Sequence, residues 1–442
     1  MVQRRTVSFI SLGCPKNLVD SENLVSVLLS RGFRVLTEPK DADLVVINTC
    51  GFLAAARAES VQTIRNAVAL KQEGVKGVLV AGCMVGNYLD QLKQEAPGVD
   101  RYVPFVDYRR IDQIADSLLP PEAAPTFSLE RRRIDAALTP SHYAYMKISE
   151  GCNHTCAFCV IPDIRGAMRS VPEQDLRSRA KALADRGVVE LTLIAQDSTV
   201  YGTDLYGENR TASLLRQLDQ TDGLRWIRLM YAYPTEVRDD LIEVLATGKR
   251  VLPYLDVPIQ HVSSSVLKRM RRGYDRRRLE DMVSDLRRRA PGIALRTTVI
   301  VGFPGETESD FQELLDFVTT HRFDRLGAFT YSQEQGSRAE SLSDQVPEAL
   351  KDERYARLME LQQSIAFEHA RKLVGQQEVV LVDASAHGDS PAIARSRRDA
   401  PEVDANVRIS GCSAAPGTFV TVALTGVSGY DLLAEPVVAS AP

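Results

Sequence analysis

Short apolar runs alternate with amphipathic stretches through the first 120 residues of the chain. Three runs, RTVSFISLGC, ADLVVINTC and GVLVAGC, are rich in β-branched residues and bounded by Gly, Asn or Ser, which is typical of buried parallel strands. Patterns of helical period lie between them, at residues 17–31 and 54–72. This alternation predicts an α/β domain over residues 1–120, built on a doubly wound parallel sheet.

A second alternation of strands and helices follows residues 121–142, which are Pro-rich and then basic and are interpreted as a linker. Six strand–helix units predict a partial (β/α)6 barrel over residues 143–373, two units short of the full eight. The strands are expected at 144–150, 190–196, 226–233, 254–260, 294–301 and 325–331. The helices are expected at 173–186, 235–247, 274–289 and 307–320, with a longer one at 347–373.

The last segment, residues 374–442, changes to short alternating strands separated by Gly and Pro turns. This pattern predicts a small antiparallel β-barrel of the OB-like kind. Cys412 is the single cysteine of this segment, and we interpret it as a buried apolar residue.

Composition narrows the class of protein. The chain has 442 residues, of which 44% are apolar and 25% charged, with a net charge of −4. This is typical of a globular enzyme and gives no overall nucleic-acid signal. We see no apolar run of about 18 residues and no signal-peptide pattern, so we expect a cytoplasmic protein with reduced thiols. Its seven cysteines then favour metal ligands, catalytic groups or buried side chains over disulfides.

Cys14, Cys50 and Cys83 are far apart in sequence, yet each lies just beyond a predicted parallel strand. The carboxyl ends of such strands share one edge of the sheet, which is where ligands bind in open α/β folds. One cysteine in such a place is commonly a buried side chain. Three equivalent positions favour a metal site instead.

Cys152, Cys156 and Cys159 follow the first barrel strand with the spacing C-x3-C-x2-C. They lie where barrel enzymes carry their active sites. A structural zinc needs four ligands, and His154 is the candidate for a fourth. We favour zinc less, because His154 lies inside the tight loop between two of the ligands. Thiolates suit iron–sulfur clusters as well as zinc, so the spacing alone leaves both open.

The stretch GCNHTCAFCVIP, with the aromatic Phe158 before its last cysteine, resembles the motif of the radical S-adenosylmethionine (SAM) enzymes. The resemblance implies that the three thiolates hold three irons of a [4Fe–4S] cube and that SAM fills the fourth. It also implies that one electron from the cluster cleaves SAM into methionine and a 5′-deoxyadenosyl radical.

Three further stretches, SLGCPKNLVDSE, INTCGF and VAGCM, resemble the N-terminal domain of the methylthiotransferases within that superfamily. There, residues matching Cys14, Cys50 and Cys83 hold a second [4Fe–4S] cluster. The C-terminal segment resembles a TRAM domain, so the likeness spans nearly the whole chain. SLGCPKN and PIQHVSSSVLKRMRR are most similar to the branch that modifies a ribosomal protein.

The resemblance implies a reaction and its partners. A methylthio group is added to the β-carbon of an aspartate in small-subunit ribosomal protein S-twelve, with an electron donor and a sulfur source as further partners. We expect no membrane partner and at most a secondary RNA contact. Two alternatives stay open: a methylthiotransferase acting on a tRNA adenosine, and a non-catalytic scaffold that binds iron–sulfur clusters or zinc.

Several residues are candidates for the SAM or substrate pocket. The turn VIVGFPGETESDF follows the fifth barrel strand, and its glycines allow close backbone approach to a ligand, although an ordinary strand-to-helix turn is the alternative. In the family this turn binds the adenosyl group. The cofactor-binding candidates are Phe158, Gln196, Gln260, Arg296, Gly302, Pro304 and Gly305; Glu150 and His261 are candidates for the substrate pocket.

Two charge patterns bear on the substrate. LKRMRRGYDRRRL holds seven Lys or Arg in thirteen residues; we favour a solvated helical face over a contact with ribosomal RNA. From residue 376 onwards there are eight acidic and four basic residues, a net −4. Such a surface is poorly suited to polyanionic RNA and better suited to a basic ribosomal protein.

Overall fold

The computed structural model describes residues 5–51, 53–120 and 138–437. Most of the predicted linker lies outside these residues. The chain forms two compact units. The first comprises Met1–Leu138, Gly151–Asn153 and Cys159–Ala167, and the second comprises Thr139–Glu150, His154–Phe158 and Met168–Pro442. Among the described residues, no helix combines the length and the apolar character needed to cross a bilayer.

The first unit is built on a five-stranded parallel sheet with the strand order β2-β1-β3-β4-β5. Its strands are β1 Thr6–Ser11, β2 Arg34–Val35, β3 Leu44–Thr49, β4 Gly77–Gly82 and β5 Arg101–Val103. Its helices are α1 Pro15–Ser30, α2 Ala54–Ala69, α3 Met84–Asn87, α4 Leu89–Glu95, α5 Ile111–Leu118 and α6 Ile161–Arg165. The edge strands β2 and β5 were not predicted, because two or three residues carry no recognisable period.

Apolar side chains cover both faces of this sheet, which confirms the doubly wound architecture. Alternate residues of β3 and β4 point to opposite faces, as the pleat of a strand requires. On one face they pack with α1 and α5, through Leu24, Leu28, Ile111 and Ala115. On the other face they pack with α2 and α4, through Val61, Ile64 and Leu92.

The second unit contains a six-stranded parallel sheet with the order β13-β12-β11-β10-β9-β6, which confirms the predicted partial barrel. Its strands are β6 Tyr143–Lys147, β9 Glu190–Ile194, β10 Trp226–Leu229, β11 Val251–Asp256, β12 Ala294–Val301 and β13 Arg325–Thr330, with a short pair β7 Ser149–Glu150 and β8 Arg169–Ser170. Its helices are α7 Glu173–Asp185, α8 Thr203–Tyr206, α9 Thr211–Leu218, α10 Asp239–Thr247, α11 Ser264–Arg269, α12 Arg276–Arg289, α13 Glu308–His321 and α14 Glu348–Leu373.

The end of the chain closes into a five-stranded barrel in the order β14-β15-β16-β18-β17. Its strands are β14 Gln377–Ala384, β15 Ala392–Ser396, β16 Val407–Ile409, β17 Phe419–Ser428 and β18 Asp431–Pro436. Four of its strand pairs are antiparallel as predicted, but β16 and β18 run parallel. A closed ring with an odd number of strands cannot alternate direction throughout, so one parallel pair is unavoidable. Cys412 is buried in this barrel's core, as its position suggested.

The segment 395–404 of the C-terminal barrel contacts all six strands of the partial barrel. The contacts are polar: Tyr145 with the Pro401 carbonyl at 3.0 Å, Glu190 with Arg395 at 2.6 Å, Arg228 with the Arg397 carbonyl at 3.0 Å, Tyr254 with Asp404 at 2.8 Å, Arg296 with Asp404 at 3.4 Å, and Arg325 with Asp399 at 2.5 Å. The C-terminal barrel and the partial barrel are therefore packed together within the second unit.

Candidate functional site

Cys14, Cys50 and Cys83 follow three neighbouring strands of one sheet. The strands β1, β3 and β4 lie side by side in parallel, with Ser11 opposite Asn48 and Thr49 opposite Gly82. Cys50 and Cys83 come directly after their strands, and Cys14 comes three residues after β1. The structure thus places all three cysteines at the same edge of the sheet.

Two glycines allow the cysteine turns to approach closely. Gly13 has a φ of +88°, and a Cβ atom there would lie 2.8 Å from the Cβ and 2.9 Å from the Sγ of Cys50. Gly82 has a φ of +98°, and a Cβ atom there would lie 2.3 Å from the Thr49 carbonyl oxygen. Any side chain at either position would push two cysteine turns apart. These close approaches suit three thiolates that share one cluster.

Asn17, on the first turn of α1, ties the three turns together. Its Nδ2 donates to the carbonyl oxygens of Leu12 at 2.9 Å and Thr49 at 2.8 Å. When Cys83 is a thiol, its Sγ donates a hydrogen bond to the Asn17 Oδ1 at 3.7 Å. The Asn17 side chain is 1% exposed, so these bonds form away from water. Sequence analysis did not single out Asn17, although it lies within the SLGCPKN stretch.

Arg165 brings a positive charge to Cys83 within the same unit. Its guanidinium donates to the Cys83 Sγ at 3.3 Å and to Asn17 Oδ1 at 2.9 Å, and it pairs with Asp20 at 3.0 Å. Its side chain is only 2% exposed. Burial raises the pKa of the Cys83 thiol, and the neighbouring guanidinium opposes that rise. The arginine therefore favours the thiolate, which is the form that binds metals.

The loop of the second cysteine motif is divided between the two units. Cys152 and Cys159 belong to the first unit, where the Cys152 N–H donates to the Gly166 carbonyl at 3.1 Å and the Cys159 Sγ accepts from the Ile161 N–H at 3.4 Å. Gly151 has a φ of +84°, and a Cβ there would lie 2.3 Å from the Ala167 carbonyl oxygen. Only glycine fits at the start of this loop.

Cys156 belongs to the second unit and is buried against Arg272. The Arg272 guanidinium donates to the Cys156 Sγ at 3.1 Å, to the Pro258 carbonyl at 3.1 Å and to the Tyr274 hydroxyl at 2.7 Å. It also lies over the Tyr233 ring, 4.3 Å from the centroid. Arginine stays protonated even when buried, so it requires a nearby anion. A cluster-bound thiolate at Cys156 would supply that anion.

Arg272 departs from the predicted solvated face of the basic segment 267–279. Lys268, Arg269, Arg271 and Arg277 are exposed as expected, but Arg272 is 6% exposed. It lies between α11 and α12, where the chain turns inward, and no periodicity marks it. Its contact with a cysteine could only be found in three dimensions.

His154, the alternative fourth ligand for zinc, is bound elsewhere. Its Nε2 lies 2.6 Å from an Asp197 carboxylate oxygen, and its ring stacks on Tyr233 with 3.8 Å between centroids and 8° between planes. Within residues 5–51, 53–120 and 138–437, no three His, Cys, Asp or Glu side chains are gathered around a single metal position. Cluster ligands have no need of that arrangement, because each thiolate caps a different iron.

The Gly-rich turn after β12 is tightly organised. Glu306 accepts hydrogen bonds from the N–H groups of Gly302 at 2.7 Å and Phe303 at 3.1 Å and pairs with Arg354 at 2.9 Å. Gly302 and Gly305 have φ values of +74° and +76°, and Pro304 is buried. Phe158 packs in the same apolar cluster as Phe303. The structure therefore brings the residue before the last cysteine next to the predicted adenosyl-binding turn.

Three other predicted pocket residues have different surroundings. Gln196 donates to Glu150 at 2.8 Å, and Glu150 also binds Lys147 at 2.6 Å, so two of the candidates meet. Gln260 has a φ of +66° and pairs with Val299 as an isolated bridge. These contacts place the glutamines just after β9 and β11.

Arg296 lies near the start of β12, away from the strand's carboxyl end. Its guanidinium binds Asp256 at 2.9 Å and Asp404 at 3.4 Å. The guanidinium therefore joins the partial barrel to the C-terminal barrel, and none of these contacts favours its predicted role in the SAM pocket.

His261 and Glu306 are both buried, with 3.7 Å between Nε2 and Oε2. The His261 Nδ1 accepts from the Ser263 N–H at 3.1 Å. Burial lowers the pKa of His261 to about 3 and raises the pKa of Glu306 to about 7. His261 is thus a neutral residue beside the Gly-rich turn.

Three family models match successive parts of the chain. Residues 6–104 match the uncharacterized protein family UPF0004, residues 146–318 the radical SAM superfamily, and residues 374–437 the TRAM domain. Among solved structures, the radical SAM methyltransferase TsrM from Kitasatospora setae is similar, with a TM-score of 0.57, 14% identity and coverage of 87% of this chain and 79% of that one. At this identity the likeness concerns the fold alone. The fold and the cysteine motif together define a radical SAM enzyme. The cofactors of this class are [4Fe–4S] clusters and SAM.

Curated relatives narrow the class further. The ribosomal protein uS12 methylthiotransferase RimO of Anaeromyxobacter sp. (strain Fw109-5) is 45% identical over 97% of this chain and 92% of its own length. The RimO protein of Lachnoclostridium phytofermentans is 41% identical over 97% of this chain and 99% of its own length. That of Geobacter sulfurreducens is 41% identical over 98% of both chains. The chain belongs to the RimO family of methylthiotransferases.

Proposed function

We propose that this chain adds a methylthio group to the β-carbon of an aspartate in ribosomal protein uS12. The observation that carries the proposal is the meeting of Cys14, Cys50 and Cys83 at one sheet edge, in addition to the radical SAM motif. A radical SAM enzyme needs a single cluster for its radical. A second thiolate set provides for a second cluster, as transfer of a sulfur group requires.

We assign one [4Fe–4S] cluster to Cys14, Cys50 and Cys83 and the other to Cys152, Cys156 and Cys159. When bound, the clusters and SAM supply one-electron reduction, a methyl group and removal of a hydrogen atom from carbon. Residues 1–120 would carry the first cluster, residues 143–373 the radical chemistry and residues 374–442 the TRAM domain. The electron and the sulfur would come from separate partners.

The residues of the chain would bind and orient these groups. Arg165 and Arg272 would hold the sulfur atoms of Cys83 and Cys156 in place. The turn containing Gly302, Pro304 and Gly305, together with Phe158, would form the side of the pocket that receives the adenosyl group, beside the apolar cluster around Phe303. Gln196 and Gln260 would complete that pocket.

The charge of the C-terminal barrel supports a protein substrate over tRNA. From residue 376 onwards the acidic residues outnumber the basic ones by four. The Arg395 guanidinium is buried in an ion pair with Glu190 of the partial barrel, so this cation contributes little to any RNA-binding surface. RNA binding relies on cations that neutralise phosphates.

A competition assay tests the proposal. The chain is reconstituted anaerobically, given SAM and a reductant, and offered uS12 and unmodified tRNA together, and mass spectrometry locates the methylthio group. Modification of an aspartate in uS12 is expected. Modification of the tRNA would keep the chemistry and overturn the substrate. Bound zinc without iron or sulfide would overturn the radical chemistry as well.

A further inference from the structure

Each cysteine triad contains one buried cysteine, and each buried cysteine has its own buried arginine. Cys83 is 6% exposed and Cys156 is 9% exposed. Arg165 donates to the first sulfur at 3.3 Å and Arg272 donates to the second at 3.1 Å. The two pairs lie in different units and on unrelated elements. The same local chemistry therefore occurs twice, once for each assigned cluster.

Both guanidiniums are held rigidly by aromatic and polar neighbours. Arg165 lies over Phe105 at 4.5 Å from the ring centroid and Arg272 over Tyr233 at 4.3 Å. Each also donates to oxygen atoms, Arg165 to Asn17 and Asp20, and Arg272 to Pro258 and Tyr274. The contact with an aromatic ring and the hydrogen bonds to oxygen orient each guanidinium so that it also donates to sulfur.

The two arginines differ in how their charge is balanced. Arg165 has a carboxylate partner, Asp20, at 3.0 Å. Among residues 5–51, 53–120 and 138–437, no carboxylate pairs with Arg272, whose partners are the Cys156 sulfur, the Pro258 carbonyl and the Tyr274 hydroxyl. A buried cation without a carboxylate acts at full strength on the sulfur beside it, because little solvent screens it.

We propose that Arg165 and Arg272 are positioning residues that each raise the reduction potential of one cluster, Arg165 for the cluster on Cys14, Cys50 and Cys83, and Arg272 for the cluster on Cys152, Cys156 and Cys159. This proposal rests on the cluster assignment given above. Hydrogen bonds and positive charge at a cysteine sulfur stabilise the reduced cluster, which carries one more negative charge. Arg272 has the larger effect, because its charge is not offset by a carboxylate.

The test uses the full chain with both clusters reconstituted. Arg272→Gln and Arg165→Gln remove the positive charge, while Arg272→Lys and Arg165→Lys retain it. Redox titration followed by electron paramagnetic resonance gives each cluster's potential, and addition of SAM identifies the cluster whose spectrum changes. Each glutamine variant serves as the control for the other, since each should affect only its own cluster.

We expect Arg272→Gln to make the potential of the SAM-responsive cluster more negative and to leave the other cluster unchanged. Arg165→Gln should shift the other cluster, by a smaller amount. The lysine variants should lie between wild type and glutamine. Full iron and sulfide content with unshifted potentials in both glutamine variants would overturn this inference and leave the proposed function intact. Failure of the wild-type chain to bind clusters would overturn the proposed function itself.

If a glutamine variant lost its cluster altogether, the lysine variant would decide the question. Retention of the cluster by the lysine variant, with a potential slightly more negative than that of the wild type, would support a role of the positive charge. A lysine variant that lost its cluster as well, or that kept it with a potential more positive than that of the wild type, would contradict it.

Discussion

The hydroxyl of Tyr254, on a central strand of the partial barrel, donates a 2.8 Å hydrogen bond to Asp404 of the C-terminal barrel. Tyr254 is fully buried, and 150 residues separate the two in sequence. The bond belongs to the set of contacts through which segment 395–404 reaches all six strands. The C-terminal barrel, which we expected to contact the substrate, thus also forms buried contacts with the strands of the partial barrel.

The buried ion pairs at this junction should be important for stability. Arg395 pairs with Glu190 at 2.6 Å and Asp383 at 2.7 Å, and its side chain is 3% exposed. Arg395→Ala should lower the free energy of unfolding by about 3 kcal/mol, because it removes one of the two cations that balance the buried Glu190, leaving Arg228 alone, and leaves Asp383 with His142 alone. Urea denaturation under anaerobic conditions measures the change. Arg408→Ala, at an exposed pair with Asp431, should cost about 1 kcal/mol or less; similar losses in both variants would contradict the prediction.

The close approach at Gly82 should be necessary for the first cluster. Gly82→Ala should remove about four of about eight irons per chain, because the added Cβ meets the Thr49 carbonyl and displaces Cys83. Iron and sulfide analysis measures the loss. Gly32→Ala is the matched control, since Gly32 also has a positive φ of +81° but has no atom within 4 Å of the added Cβ. Equal iron content in the two variants would refute the steric argument.

His154 should not be a metal ligand. His154→Ala should retain the full iron content, because the imidazole is bound to Asp197 and stacked on Tyr233. Cys156→Ala should lower the content by about four irons per chain. Metal analysis of both variants by mass spectrometry distinguishes the cases. Loss of a metal on replacement of His154 alone would favour the zinc alternative.

Glu306 should make stability depend on pH. Burial raises its pKa to about 7 in the folded chain, above the ordinary value of 4.5. A carboxyl group with a raised pKa binds its proton more tightly in the folded chain than in the unfolded chain. Its contribution to the free energy of unfolding is therefore fully present below about pH 4.5 and is lost as the pH rises through about 7. The free energy of unfolding of the wild type, relative to that of Glu306→Gln, should therefore fall by up to about 3 kcal/mol between about pH 4.5 and about pH 7.

Unfolding free energies measured across this pH range test the prediction. Glu308→Gln is the control, because its side chain is 57% exposed. His261 has the opposite effect on stability, because burial lowers its pKa to about 3. Its contribution to the free energy of unfolding grows as the pH rises from about 3 to about 6.5. The difference between wild type and Glu306→Gln isolates the glutamate; a difference that is independent of pH would contradict the assignment.

The sequence by itself determined the strand–helix alternation, the three cysteines at strand ends and the C-x3-C-x2-C loop. These features depend on local periods and spacings, which neighbouring residues encode directly. The same information predicted that parallel strands would bring Cys14, Cys50 and Cys83 to one edge. The short strands β2 and β5 and the parallel pair of the C-terminal barrel were missed, since they depend on pairing between distant segments.

Only the tertiary structure decided where the charged side chains go. Arg272 lies in a basic segment that resembles a solvated face, yet it is buried against Cys156; Arg296, expected in the pocket, instead binds Asp256 and Asp404. A long, flexible and charged side chain can be solvated, form an ion pair or donate a hydrogen bond to a sulfur atom. Its destination depends on which distant anion the completed fold places within reach, and no local pattern records that choice.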